Sequence, residues 1–472
     1  MFWEEIVILH CTESRVMDKK SKQDTKQDKG KIAQRVKRYG QVSSAVAGLA
    51  TKVAGEKLLG VKIEREKHAA DLMMRLGNLK GPLMKVGQIL ATIPEALPPE
   101  YAAALQNLQS NAPPMGWPFV KRRMRAELGV DWESKFKSFG HDAAAAASLG
   151  QVHKATLHDG REVACKLQYP DMQSAISADL SQLRLMFSLY ESFDKAIITT
   201  NIHDELKDRL YEELDYELEA KRTSLYGEIL KNEAGVSVPT VITELSTPRL
   251  LTATWMDGEK IMSFKDAKVA DRNEIAMNMF RAWYVPLYYY GIIHGDPHMG
   301  NYSVRKDLGI NLFDFGCVRV FRGEFVEGVI NLYRALQRDD RALAVHAFET
   351  WGFKNLNKDQ IDTLLIWAQF LYEPLLDDKK RVIGIANQGV YGRDTARKVH
   401  EKLREVAGKN GGVTVPREFV FMDRAALGLG SVFIHLQAEV NWHRVFEDMI
   451  GEFNVNTLKN SQKSVLTQFK LI

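Results

Sequence analysis

The chain has 472 residues, of which 45% are hydrophobic and 26% charged. At roughly 100–200 residues per domain this suits two or three units, or one two-lobed enzyme with extensions. Such composition excludes a wholly disordered chain, a collagen and a disulfide scaffold. Lys plus Arg number 64 against 60 Asp plus Glu, a near-neutral balance without the concentrated basic surface of a nucleic-acid partner.

The three cysteines, Cys11, Cys165 and Cys317, are far apart and form no CxxC pair. Neither a zinc site nor a disulfide framework is implied, and a reducing, cytoplasmic-type compartment fits. No apolar run reaches the length of about 18 residues that a spanning helix needs. The opening MFWEEIVILH places Glu4 and Glu5 where a signal peptide would be basic, so no signal peptide is expected, and the polar run DKKSKQDTKQDKGK after Met17 makes Met17 a candidate initiator. Residues 1–31 read as a basic, flexible arm.

In chain order, Ile32, Val36, Tyr39, Val42, Val46, Leu49 and Val53 recur at gaps of three or four, the spacing of an amphipathic helix. It packs on the protein body or, as the sharper alternative, lies on a membrane surface. Residues 62–93 are helical in pattern, restarting at Gly81-Pro82, and Pro113-Pro114 marks a boundary. Residues 32–118 thus form a helical extension. Phe119–Leu128 is a further helix.

GQVHKATL and REVACKLQY flank His158-Asp159-Gly160, which predicts a hairpin whose second strand closes at Lys166. Residues 172–230 are helical in pattern, 236–257 strand-like, and from about 264 onward mainly helical apart from short apolar pieces around INLFDFG. The sum is an α+β, two-lobed plan with an N-terminal extension. The small lobe is assigned to 119–260 and the large lobe to 261–356. The helical stretch 357–472 is expected to pack on the large lobe.

The chemistry concentrates in HGDPHMGN followed by NLFDFG. Phosphoryl transfer from a nucleotide asks for metal ions on the phosphates and a carboxylate beside the attacking hydroxyl. Asp296, Asn301 five residues on and Asp314 in an Asp-Phe-Gly triplet meet that need at the spacing of the protein kinase-like fold. His-Gly-Asp stands in place of His-Arg-Asp, as in small-molecule kinases of that superfamily. A nucleotide-clamping lysine belongs upstream on a strand, and Lys166 in Val163-Ala164-Cys165-Lys166 fills that place. Ahead of the hairpin, where kinases have a glycine-rich phosphate loop, stand Ala143, Ala144, Ala145, Ala146, Ala147 and Ser148. Their Cβ atoms restrict the approach of backbone amides to phosphate.

Lys166 needs an acidic partner, and EELDYELEA offers several. On a straight helix Glu212, Asp215 and Glu219 share one face while Glu213 points elsewhere. The like charges call for cations or metal. Lys85 and Gln88 lie three apart on one helix face, with Gly87 permitting close packing; alone these residues say little.

Taken together, the KxGQ stretch, the alanine-rich loop before a QVH strand, the ExD stretch, HGDPHMGN and DFG resemble, in order, the UbiB/AarF/ADCK family of atypical kinases. The resemblance covers roughly residues 45–355. It implies that Lys85 and Gln88 belong to an extension folded over the active site, blocking the usual peptide-substrate groove, and that Glu213 and Asp215 meet it. It implies that Glu219 is the helix partner of Lys166 and that Ala143–Ser148 lie over the nucleotide. Asp296 becomes the catalytic-loop aspartate, with Asn301 and Asp314 on magnesium.

ATP or ADP with Mg2+ is the implied cofactor set. The implied activity is ATPase or phosphotransferase chemistry supporting ubiquinone biosynthesis or lipid homeostasis. A membrane lipid, a quinone-pathway intermediate or proteins are the implied partners, and any membrane contact is expected to be peripheral, through residues 32–58. The alternatives are a small-molecule or lipid kinase, and a nucleotide-gated scaffold with little turnover. Three departures stand out: Met299 takes a proline's place, Lys221, Arg222 and Thr223 follow Glu219-Ala220 where many members have an asparagine nearby, and hydrophobic spanning helices common in the family are missing.

Overall fold

A computed structural model of the chain describes residues 114–147, 149–177, 210–382 and 432–472, with positions 180, 181, 184, 207, 208, 416, 422 and 428–430. Lys85, Gln88, Ser148 and the amphipathic stretch 32–58 lie outside the described residues.

Helix α1, Trp117–Leu128, starts two residues before the sequence pattern predicts, because Pro118 suits a first helical turn whose N–H groups lack partners anyway. It buries Phe119, Val120 and Met124 and ends at Gly129, whose N–H donates to the Arg125 carbonyl. A short 3-10 turn, Trp132–Lys135, leads to β1 (Ser138–Phe139), β2 (Ala145–Ala147), β3 (Gly150–Thr156) and β4 (Glu162–Gln168). The Asp-Gly signal is a hairpin as predicted: β3 and β4 pair antiparallel from Gly150 opposite Gln168 to Thr156 opposite Glu162. Lys166 does not close β4 but sits inside it, followed by Leu167 and Gln168.

The alanine run is not an irregular loop. Ala145–Ala147 pair antiparallel with Val152, Gln151 and Gly150, so their backbone groups join the ladder. This is the tertiary context overriding the helix propensity of alanine.

After helix α2 (Tyr216–Ile229) come β5 (Val236–Ser237) and β6 (Leu250–Thr254). Strand β6 pairs with β4, completing a five-stranded sheet of order β1-β3-β4-β6 with β2 also on β3. Period-2 alternation gives this sheet two faces. Gln151, His153, Ala155, Val163, Cys165 and Leu167 are buried on one, in a core shared with Phe119, Val120, Met124 and Trp132. Lys166 therefore points to the other.

The second core belongs to the large lobe. Helix α3 (Val269–Tyr290) is its spine, burying Ile275, Met279, Phe280, Trp283 and Leu287. Beyond it come β7 (Ile292–His294), β8 (Tyr302–Val304), β9 (Ile310–Leu312) and β10 (Val318–Val320). Strand β10 pairs with β7, and β9 lies between β5 and β8. Helices α4 (Gly323–Arg338), α5 (Arg341–Thr350) and α6 (Lys358–Leu376) follow. Strands β11 (Arg381–Val382) and β12 (Glu439–Val440) pair, and α7 (Trp442–Ile450) and α8 (Val455–Gln468) end the chain. Leu364, Tyr372, Trp442, Phe446, Leu458 and Val465 all enter the α3 core. Each such side chain, fully buried, contributes about 1.5–3 kcal/mol. Among the described residues no helix is long and apolar enough to cross a membrane.

Candidate active site

The two lobes meet where β4, α2 and the segment between β9 and β10 converge. Lys166 is delivered by β4, with Val152 of β3 and Leu251 of β6 directly opposite it in register. Cross-strand partners share a face, so Val152, Ala164, Lys166, Leu251 and Ala253 form one surface. The motif reading missed this apolar floor beside the lysine; alternation counted outward from Lys166 identifies it.

The acidic stretch departs from the straight helix expected. It breaks in a turn at Glu213-Leu214, and Asp215 starts α2 afresh, its carboxylate accepting the Leu218 N–H at 2.9 Å. Such a cap is worth about 1 kcal/mol. The break separates the acids that a straight helix would cluster. Glu219 turns inward in the first turn of α2, where the helix dipole favours an anion. Glu212 instead accepts from Arg222 and Arg319. Glu213 lies against Gly316.

Lys166 Nζ donates to Glu219 Oε1 at 2.6 Å and Oε2 at 2.9 Å, and stands 3.5 Å from Asp314 Oδ2. It also lies 5.2 Å from the Tyr216 ring centroid. Burial works against the ammonium, but the Asp314 and Glu219 carboxylates more than offset it and hold its pKa well above the usual value. Burial pushes the Glu219 carboxyl up to about 7, against the pull of Lys166.

HGDPHMGN begins at the end of β7. His294 is fully buried, and its Nδ1 accepts the Asp296 N–H at 3.3 Å. The other ring nitrogen must then carry the proton, and Nε2 donates to the Asp314 carbonyl at 2.8 Å. Burial holds this imidazole below its usual pKa, so it stays neutral and ties the two aspartate segments together. Asn301 Nδ2 donates to the Asp296 carbonyl at 3.0 Å and to Asp296 Oδ2 at 3.1 Å, fixing that carboxylate.

Gly295, where an arginine is usual in protein kinases, has a local cause. Its N–H donates to the Cys317 carbonyl at 2.7 Å, and a Cβ there would come 2.8 Å from Cys317 Sγ. Asp314 adopts φ +56°, a left-handed conformation that Asp tolerates better than most residues. Such strain costs about 1–3 kcal/mol and concentrates at functional sites. Phe315 is buried against Tyr226 of α2 (4.9 Å) and His294 (5.5 Å).

The structure thus brings Lys166, Glu219 and Asp314 into direct contact, and Asp296 and Asn301 into another. Ala145–Ala147 form the edge of the same sheet, and Ala144 N–H donates to the Val152 carbonyl at 2.8 Å. Asp215 is occupied as a helix cap. Among the described residues no three His, Cys, Asp or Glu side chains gather as a metal cage. Asp314 and Asn301 are hard oxygen donors. They fit magnesium, which takes one or two carboxylates and completes its shell with water and phosphate.

The ABC1 atypical kinase-like domain family matches residues 107–347, just over half of the chain. The chain is 33% identical to AarF domain-containing protein kinase 1 of Mus musculus, over 54% of this chain and 50% of that protein. It is 28% identical to the mitochondrial atypical kinase COQ8 of Saccharomyces cerevisiae, over 65% of this chain and 63% of that one. It therefore spans less than two thirds of the length of these relatives. Among solved structures, that of Rv3197 with erythromycin from Mycobacterium tuberculosis superposes with a TM-score of 0.56 at 28% identity. The match covers 85% of this chain and 98% of that one.

Proposed function

The chain belongs to the ABC1 atypical kinase-like family, and on that footing we propose that it binds ATP or ADP with magnesium where its two lobes meet. The observation that carries the reading is Lys166, held between Glu219 of α2 and Asp314 of the Asp-Phe-Gly triplet. A protonated amine fixed at a strand, facing a carboxylate that can serve a metal, is what a nucleotide triphosphate tail requires. In this reading the Val152–Ala164–Leu251–Ala253 surface receives the base and Lys166 the phosphates. Residues 143–148 cover them.

Asp314 and Asn301 hold magnesium, which supplies neutralisation of phosphate charge. Asp296, restrained by Asn301, orients and accepts the proton of the attacking water or hydroxyl. His294 sets the distance between Asp296 and Asp314 without meeting substrate. Residues 32–118, with Lys85 and Gln88, are proposed to fold over this site opposite Glu213 and Asp215. Turnover is then ATP hydrolysis or transfer to a small or lipid acceptor, in support of isoprenoid quinone or lipid metabolism at a membrane surface.

The test is thermal unfolding with ATP or ADP, with and without magnesium, beside Asp314→Asn. At one hundred times its dissociation constant a ligand stabilises by about 2.7 kcal/mol. A magnesium-dependent rise lost in the variant is expected. No rise with either nucleotide refutes the site. Turnover no greater than that of Asp296→Asn would favour the scaffold reading.

A further inference from the structure

We propose that Arg222 is a positioning residue that latches the Asp-Phe-Gly triplet to the helix carrying Glu219, and thereby sets the Asp314 carboxylate. The inference rests on the nucleotide site proposed above and adds how that site is held together.

Arg222 stands three residues after Glu219 on α2, so one rigid element carries both side chains. Glu219 reaches Lys166 of the small lobe. Arg222 reaches the triplet: its Nη1 donates to the Gly316 carbonyl at 2.7 Å. The same guanidinium donates to Glu212 Oε2, from Nη1 at 3.2 Å and from Nη2 at 3.3 Å. Glu212 Oε2 also accepts from Arg319 Nη1 at 2.6 Å, and Arg319 Nη1 donates to the Val318 carbonyl at 3.0 Å. One carboxylate thus joins an arginine of α2 to an arginine of β10.

Gly316 is the transmitting residue. Its carbonyl is held by Arg222, and its N–H donates to Asp314 Oδ1 at 3.3 Å. A displacement of Gly316 therefore displaces the Asp314 carboxylate, whose other oxygen faces Lys166. Two further contacts close the loop, with Glu213 against Gly316 and Phe315 against Tyr226 of α2. If α2 swings outward, the Lys166–Glu219 pair and the Arg222–Gly316 bond are lost together. The planar guanidinium suits this task because it reaches a carbonyl and a carboxylate on different elements at once; a lysine ammonium, a point charge, holds such a bridge poorly.

The experiment compares Arg222→Ala, Arg222→Lys and, as a control on the exposed face of the same helix, Lys221→Ala. The first readout is hydrogen–deuterium exchange of residues 313–318 without nucleotide. The second is the magnesium concentration giving half of the ADP-dependent thermal shift. Arg222→Ala is expected to speed exchange of that segment and raise the magnesium midpoint, each about tenfold, as loss of a charge-assisted hydrogen bond implies. Arg222→Lys falls between, and Lys221→Ala behaves as the parent. Parent-like exchange and midpoint in Arg222→Ala would overturn the proposal, as would equal effects from Lys221→Ala. If the parent itself shows no magnesium-dependent shift, the nucleotide reading fails and the exchange arm alone decides the latch. Should the alanine variant not fold, the lysine variant carries the same two readouts, and parent values there overturn the proposal.

Discussion

Replacing Lys166 with methionine tests the electrostatics of the site directly. The Lys166 side chain is 17% exposed and that of Glu219 only 4%. Lys166→Met keeps much of the packing volume but leaves the Glu219 carboxylate buried without its cation. Removing one partner of a buried pair costs about 3–5 kcal/mol. Taking the lower end, about 3 kcal/mol, and an unfolding entropy of about 2.1 cal/mol/K per residue over the 472 residues, the melting temperature should drop by about 3 °C at pH 8.

The cost must also depend on pH. Burial already holds the Glu219 carboxyl near 7, and without Lys166 it rises further. A carboxyl whose pKa is higher folded than unfolded binds more protons in the folded state between those two values. Stability therefore falls as pH rises through that window, by up to about 1.4 kcal/mol per pH unit. In the variant the window extends upward, so its deficit relative to the parent should be largest near pH 8 and shrink toward pH 5. Urea denaturation at both pH values measures this. Lys166→Met/Glu219→Gln should recover most of the loss at pH 8, since a neutral amide no longer needs the cation. A deficit equal at pH 5 and 8, or a double variant no more stable than the single one, would refute the reasoning.

Two further outcomes follow from buried groups. Burial lowers the pKa of His294 and of His153, so below about pH 6.5 the unfolded chain takes up protons that the folded chain refuses. Stability should fall as pH drops through that value, and His294→Gln should reduce the slope in a melting series between pH 7 and 5; an unchanged slope contradicts the neutral-imidazole assignment. Gly150→Ala should destabilise by about 1–3 kcal/mol. A Cβ there runs into the Leu167 carbonyl and lies 2.9 Å from the Tyr216 hydroxyl, and urea unfolding of a variant as stable as the parent would contradict that packing.

The residues of the candidate site stand out in the sequence because their motifs are local. His294 to Asn301 and the Asp-Phe-Gly triplet each lie within one turn or strand end, where spacing along the chain is nearly spacing in space. The hairpin was legible too, since Asp159-Gly160 between β-branched runs leaves little else for the backbone to do. The sequence also implied Glu219 as the partner of Lys166, through resemblance, though 53 positions separate them.

What one dimension hid was where local rules conflict. Helical periodicity ran on through Glu213, whereas the chain breaks there and Asp215 caps a new helix. That break turns an apparent cluster of like charges into separate pairs, Glu219 with Lys166 and Glu212 with two arginines. The alanine run carries no strand preference of its own, and only pairing with β3 makes it one. Arg222 belongs to no motif, and its partner Gly316 is 94 positions away. Sequence patterns report hydrophobic period and turn chemistry, which act over a few residues. Which charge meets which carbonyl depends on how two separately packed cores are brought together, and that is a property of the folded chain alone.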